Sequence, residues 1–167
     1  MNPRPGREAG RRAPPPSGSN GVRVDVGFDG ARGPLGETAI RAIVRSVMRA
    51  EGVRRASLSV TFCSDSAIRR LNTKYFGRRS ATDVIAFALD DLNGVVTGDI
   101  YVAPDVAMRA ASALDVPVRE ELVRLVVHGA LHVLGYDHPA GESRVRSAMW
   151  RRQEELVTMV LKAGRRK

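Results

Sequence analysis

The sequence has a single cysteine, few aromatic residues and few histidines. One thiol, Cys63, cannot form an internal disulfide, so nothing calls for an oxidising compartment. No apolar run approaches the roughly 18 to 20 residues of a membrane span. The arginines near the N-terminus are followed by no apolar stretch, so no secretory-signal pattern is present. Pro and Gly there also spoil the amphipathic helix of a transit peptide. The expected setting is soluble, reducing and cytoplasmic. The 43% hydrophobic content across 167 residues excludes a wholly disordered chain and suits one domain with a real core.

Charge is unevenly spread. Lys plus Arg is 27 and Asp plus Glu is 18, a formal balance of +9. Residues 1–20 carry Arg4, Arg7, Arg11 and Arg12 against Glu8, and 162–167 carry Lys162, Arg165, Arg166 and Lys167. The stretch between them holds 19 basic and 17 acidic groups and is nearly neutral. Basic ends favour polyanions such as nucleic acid through counterion release, and they also serve simply to solubilise. Residues 1–20, rich in Pro, Gly, Arg and Ser, read as a disordered basic tail. Residues 21–163 read as the folded domain and 164–167 as a second basic tail.

Hydrophobic periodicity gives the elements. Val22, Val24, Val26 and Phe28 alternate with polar residues, as do Leu58, Val60 and Phe62, so both stretches read as half-buried strands. Leu35, Ala39, Ile43, Val47 and Met48 repeat at helical spacing over about 34–50. Ser64 and Asp65 suit the N-cap of a helix bearing Ile68, Leu71 and Tyr75. Strands are expected at 84–89 and 99–103, and helices at 105–114, 117–134 and 143–162. The order β-α-β-α-β-β-α-α-α predicts a single α+β domain, a small mixed four-stranded sheet packed with about five helices.

All three histidines fall in the run VVHGALHVLGYDHPAGE. His128 and His132, four residues apart, project from one face of an otherwise apolar helix, and two buried imidazoles need partners. Gly135 suits a left-handed residue ending that helix, after which the chain can return His138 from a loop. Three neutral imidazoles plus water is the open arrangement of a catalytic zinc site, here at the end of a buried helix. Two carbonyl-satisfied core histidines and an unrelated third would be the structural alternative. The spacing H-x3-H-x2-G-x2-H favours the metal instead. It matches that of zinc proteases, but position 129 is Gly where they carry a glutamate base, which argues against peptide hydrolysis.

Other polar residues have two readings each. The basic run Arg69, Arg70, Lys74, Arg78 and Arg79 suits either a solvated helix face or an RNA-binding surface, with Tyr75 and Phe76 available for base stacking. Tyr75 can equally continue the Leu71 stripe into the core. Thr82, Asp83 and Asp99 flank apolar runs and suit either turn chemistry or the orientation of a ligand histidine through its second ring nitrogen. Asp137 adjoins a ligand and can do either, or act on water. Cys63 reads as a small buried hydrophobe.

HGALHVLGYDH resembles the H-G-x-L-H-L-x-G-Y-D-H signature of the YbeY family of rRNA maturation factors. LNTKYFGRRSATDVIAF and GDIYVAPD are similar to two further family segments, in the family's order. The resemblance implies a zinc-dependent, single-strand-directed endoribonuclease acting in 16S rRNA 3′-end maturation and ribosome quality control. It implies one Zn2+ per chain on His128, His132 and His138, and the small ribosomal subunit as partner, with no membrane and no nucleotide cofactor. The family's arginine after the tyrosine, thought to be catalytic, falls on Phe76, and its serine falls on Ala86. Arg78 and Arg79 are the nearest replacement cations, and with Asp137 they are the candidate catalytic residues. Phe76 also motivates the alternative of a non-catalytic ribosome-assembly factor with a structural zinc site.

Overall fold

The structure, a computed structural model, describes residues 21–89, 93–139 and 141–164. The proposed tail at 1–20 and the end at 165–167 lie outside them. The described chain forms β1 (Gly21–Asp29), α1 (Glu37–Ala50), β2 (Arg55–Cys63), α2 (Asp65–Phe76), β3 (Val84–Leu89), β4 (Val96–Val102), α3 (Pro104–Leu114), α4 (Val118–Val133) and α5 (Ala148–Gly164). A 3-10 turn at Gly141–Arg146 precedes α5.

The sheet order is β1-β2-β4-β3. β1–β2 and β2–β4 are parallel and β3–β4 is antiparallel, so the sheet is mixed, as expected. One face packs on α1 and α4, where Ile40, Val44 and Val47 of α1 and Leu122, Val126 and Leu131 of α4 are completely buried with Leu58, Val60 and Ile100. The other face meets α2 through a smaller cluster of Ile68, Ile85, Phe87 and Cys63, with Tyr75 and Phe76 packed against it. Ser64 caps α2, its side chain accepting from the Ala67 N–H at 3.3 Å.

Two boundaries differ from the sequence reading. The first helix starts at Glu37 instead of about residue 34, because Gly36 keeps an extended backbone at its N-cap. The last helical segment is broken at Ser147, whose Oγ accepts from the Trp150 N–H at 3.1 Å and restarts the helix as α5.

Two glycines bring α4 close to the sheet. A Cβ on Gly129 would lie 2.5 Å from Ile100 Cγ2 of β4. One on Gly98 of β4 would lie 2.5 Å from Val133 of α4 and 2.7 Å from the Phe87 carbonyl. Both spacings are well inside van der Waals contact, so only glycine fits. A glutamate at 129, the position of the protease base, has no room.

Candidate metal centre

His128 and His132 occupy successive turns of α4, and the ends of their rings meet, Nε2 to Nε2, at 3.0 Å. α4 stops in a Schellman arrangement. Gly135, with φ of +90°, turns the chain, the Gly135 N–H donates to the His132 carbonyl and the Tyr136 N–H to the Leu131 carbonyl. That turn returns His138, whose ring centroid lies 5.2 Å from each of the other two. One ligand atom from each histidine falls within 4.8 Å of the others. No other such group is present among the described residues.

The hydrogen bonds fix the tautomers. His128 Nδ1 lies 2.7 Å from Gln153 Oε1, and the Gln153 amide is oriented by its own NH2, which donates to the Glu154 carboxylate at 3.0 Å. A carboxylate only accepts, so the amide oxygen must face His128. His132 Nδ1 meets the Tyr136 carbonyl and His138 Nδ1 the Pro139 carbonyl, each at 3.0 Å. Acceptors at all three Nδ1 atoms require Nδ1–H, which leaves each Nε2 with a free lone pair.

Burial is the main reason the His128 and His132 rings stay neutral. It pushes His128 from 6.5 down to about 3, with the neighbouring His132 adding to the effect. Burial, then the charge of His138, lowers His132 as well. Two neutral nitrogens facing each other at 3.0 Å with no proton between them repel, and a shared cation removes that repulsion. Three imidazole nitrogens suit a divalent transition metal, and three protein ligands leave a position open.

Cys63, the only thiol, is not part of this group. It is buried in the second cluster, donates weakly to the Val102 carbonyl at 3.6 Å, and has its pKa raised to about 11 by burial.

Beside the histidines lies a cavity of about 160 Å³, lined by Asn72, Phe76, Arg78, Thr82, Val84, Ile85 and Ala86 together with His128 and His132. Its wall includes β3, an edge strand of the sheet. Gly77, with φ of +67°, caps α2 and turns the chain so that Arg78 reaches this wall. Buried Asn72 steadies the following loop, donating to the Ser80 carbonyl at 2.8 Å and accepting from the Arg78 N–H at 3.3 Å.

The other predicted residues fall in several places. Arg79 is exposed and is not in the cavity wall. Arg69, Arg70 and Lys74 are exposed on α2, and Lys74 Nζ sits 5.3 Å from the centre of the Tyr75 ring. Tyr75 packs edge-on against Phe87, as its core reading required, whereas Phe76 both stacks on Phe87 and lines the cavity.

Thr82 reaches the cavity but donates to Asp83 Oδ1, and that same oxygen accepts from the Val84 N–H at 2.8 Å. Asp83 therefore caps its own strand. Asp99 alternates with Ile100, which faces α4, so its carboxylate projects to the α2 side and accepts from Ser59. Orienting a histidine from there is ruled out by the pleat. Asp137 accepts from the His138 N–H at 2.8 Å and shapes the ligand loop.

The residue that orients a histidine by its side chain is Gln153, which is 1% exposed. Its signal was in the sequence: a glutamine on the apolar stripe of α5 between Met149 and Leu156. A second polar group also went unnoticed. Arg144, in the 3-10 turn after His138, lies near enough for its charge to disfavour protonation of both His128 and His132.

The family described as Endoribonuclease YbeY matches residues 34–160. The Endoribonuclease YbeY of Syntrophus aciditrophicus is 35% identical over 126 residues, covering 72% of this chain and 79% of that protein. That of Geobacter metallireducens is 32% identical over 149 residues, covering 86% and 99%. The solution structure of TM1509 from Thermotoga maritima superposes with a TM-score of 0.59 at 25% identity, covering 86% of this chain and 91% of that one.

Proposed function

The chain belongs to the Endoribonuclease YbeY family, and from that premise we propose a zinc-dependent endoribonuclease that cuts single-stranded RNA in 16S rRNA 3′-end maturation and ribosome quality control in the cytoplasm. The endoribonuclease activity and the part in rRNA processing come with the family. The observation that carries the rest is a group of three histidines able to hold one ion, two of which, His128 and His132, line a cavity that also holds an arginine and an aromatic ring.

His128, His132 and His138 would hold the ion. A bound zinc ion supplies Lewis-acid polarisation of a phosphoryl oxygen and makes water more acidic. The chain's own groups do the remainder. The Nδ1–H bonds to Gln153, Tyr136 and Pro139 fix the tautomers and hold the ring orientations, so that each Nε2 lone pair is left for an ion. Arg78 carries a fork of N–H donors to the cavity wall and can offer two parallel hydrogen bonds to phosphoryl oxygens, offsetting charge that grows as the diester is cleaved. Phe76, at the position where the resemblance places an arginine, has no charge to give and supplies a stacking surface for a base. Arg69, Arg70 and Lys74 extend the basic surface for the RNA backbone.

Cleavage of a single-stranded 16S 3′-end RNA by the zinc-loaded chain, compared with His128→Ala, tests the reading. Zinc-dependent cleavage that disappears in the variant is expected. An inactive zinc-loaded parent would point instead to the non-catalytic assembly factor. Replacing both Arg78 and Arg79 by Ala should slow cleavage by one to several orders of magnitude, roughly 2 to 4 kcal/mol, with zinc content intact. The single Arg78→Ala change should account for nearly all of it.

A further inference from the structure

Two of the arginines on α4 and α5 are paired with carboxylates. Arg124 binds Glu120, Glu121 and Glu154. Arg152 binds Glu51 and Glu155. Arg144 differs: its Nε is buried with no hydrogen-bond partner, and it makes no ion pair among the described residues. Its guanidinium carbon lies 5.7 Å from the centre of the Trp150 ring, a cation–π contact that holds the charge in place without satisfying that Nε–H.

A desolvated N–H donor without an acceptor is costly, and native proteins rarely keep one with no use for it. Arg144 follows His138 in the chain, in the turn that leads into α5, and its positive charge is felt by two of the three ligand rings. A cation bound by those rings would repel this guanidinium. The arrangement relaxes when an anion lies between them and accepts from the unpartnered Nε–H.

We propose that Arg144 binds a phosphate group of the RNA backbone beside the metal centre, as a second phosphate ligand from a different element than Arg78. This rests on the ribonuclease reading above. Arg78 arrives from the α2–β3 loop and Arg144 from the turn before α5, so a strand at the histidines is gripped from two separate parts of the fold. The cation that Phe76 cannot provide is then supplied twice by other segments.

The test uses the full, zinc-loaded chain with a 2′-O-methylated single-stranded oligonucleotide that resists cleavage, its affinity measured across a salt series. Arg144→Met keeps the stem over Trp150 but removes the charge. It should weaken binding, reduce the slope of log affinity against log salt by about 0.7, the share of one phosphate on a single strand, and slow cleavage of the unmodified RNA roughly 10- to 100-fold. Arg144→Lys should restore the slope, since it restores the charge. Zinc content and Trp150 fluorescence report on folding; if the Met variant fails either, Arg144→Gln replaces it in the comparison.

A charge-free variant that matches the parent in affinity, slope and rate overturns the assignment of Arg144 alone. A parent that neither binds nor cleaves RNA overturns the ribonuclease reading and this inference with it.

Discussion

At the scale of single residues, the metal centre depends on who accepts from the far side of each ring. Tyr136 and Pro139 use backbone carbonyls, which no substitution at those positions removes. Gln153 uses a side chain, so this connection can be tested. It is itself held by Glu154, and Glu154 by Arg124, so one buried ring is tied to a surface ion-pair network. Gln153→Leu keeps the size and the apolar packing but leaves His128 Nδ1–H without an acceptor. Zinc affinity, measured by competition with a chelator, should fall about 10- to 100-fold. Unchanged affinity would show that the hydrogen bond does not set the ligand.

The same ring gives a pH dependence in the metal-free chain. His128 is neutral when folded down to about pH 3 but takes up a proton near 6.5 when unfolded. Its folded pKa is depressed, so stability is fully present above about 6.5 and is lost progressively as pH falls towards 3. The thermal midpoint of chelator-treated protein should therefore drop between pH 7 and 4. The drop should be shallower in His128→Gln, which has nothing to protonate there. Parallel pH profiles for the two would contradict the assignment.

At the scale of elements, the α4–sheet contact sets the position of the histidines. α4 rests on β3 and β4 only because Gly98 and Gly129 leave room. Gly98→Ala would press its methyl group into the Phe87 carbonyl and Val133, atoms with little freedom to move, and should cost roughly 1 to 3 kcal/mol in denaturant unfolding. A variant as stable as the parent would mean that the helix can lift without loss.

The elements themselves were largely legible in the sequence. Periodicity separates strands from helices, and Gly135 marks the end of α4 as surely in the sequence as in the turn that forms. The break at Ser147 was harder to see, because Val145 and Met149 carry helical spacing across it and only a cap interrupts the helix. The ligand histidines were legible because their spacing is local. Gln153 reaches the site from α5 and Arg144 from the 3-10 turn before it, and no local pattern in the sequence reports either contact. Asp99 was misplaced for a related reason: which face of β4 it occupies follows from where α4 packs, and that is settled by the glycines.

At the scale of the whole molecule, the net charge and the folded domain separate. The nearly neutral middle of the chain contains the core, and most of the positive excess lies in the two ends. Residues 1–20 have almost no apolar side chains to bury, so they have little to contribute to a core whose members run from Val24 to Val157. Deleting them should leave the thermal midpoint of the zinc-loaded protein unchanged to within about a degree. Counterion release makes a separate expectation for RNA. The segment carries Arg4, Arg7, Arg11 and Arg12 against Glu8, so its loss should weaken binding to single strands and flatten the salt dependence, while zinc content stays the same. A midpoint lowered by several degrees would show that the segment docks on the domain. Unchanged binding at every salt concentration would show that its arginines do not meet the RNA, leaving Arg78, Arg144 and the α2 cations to hold the strand.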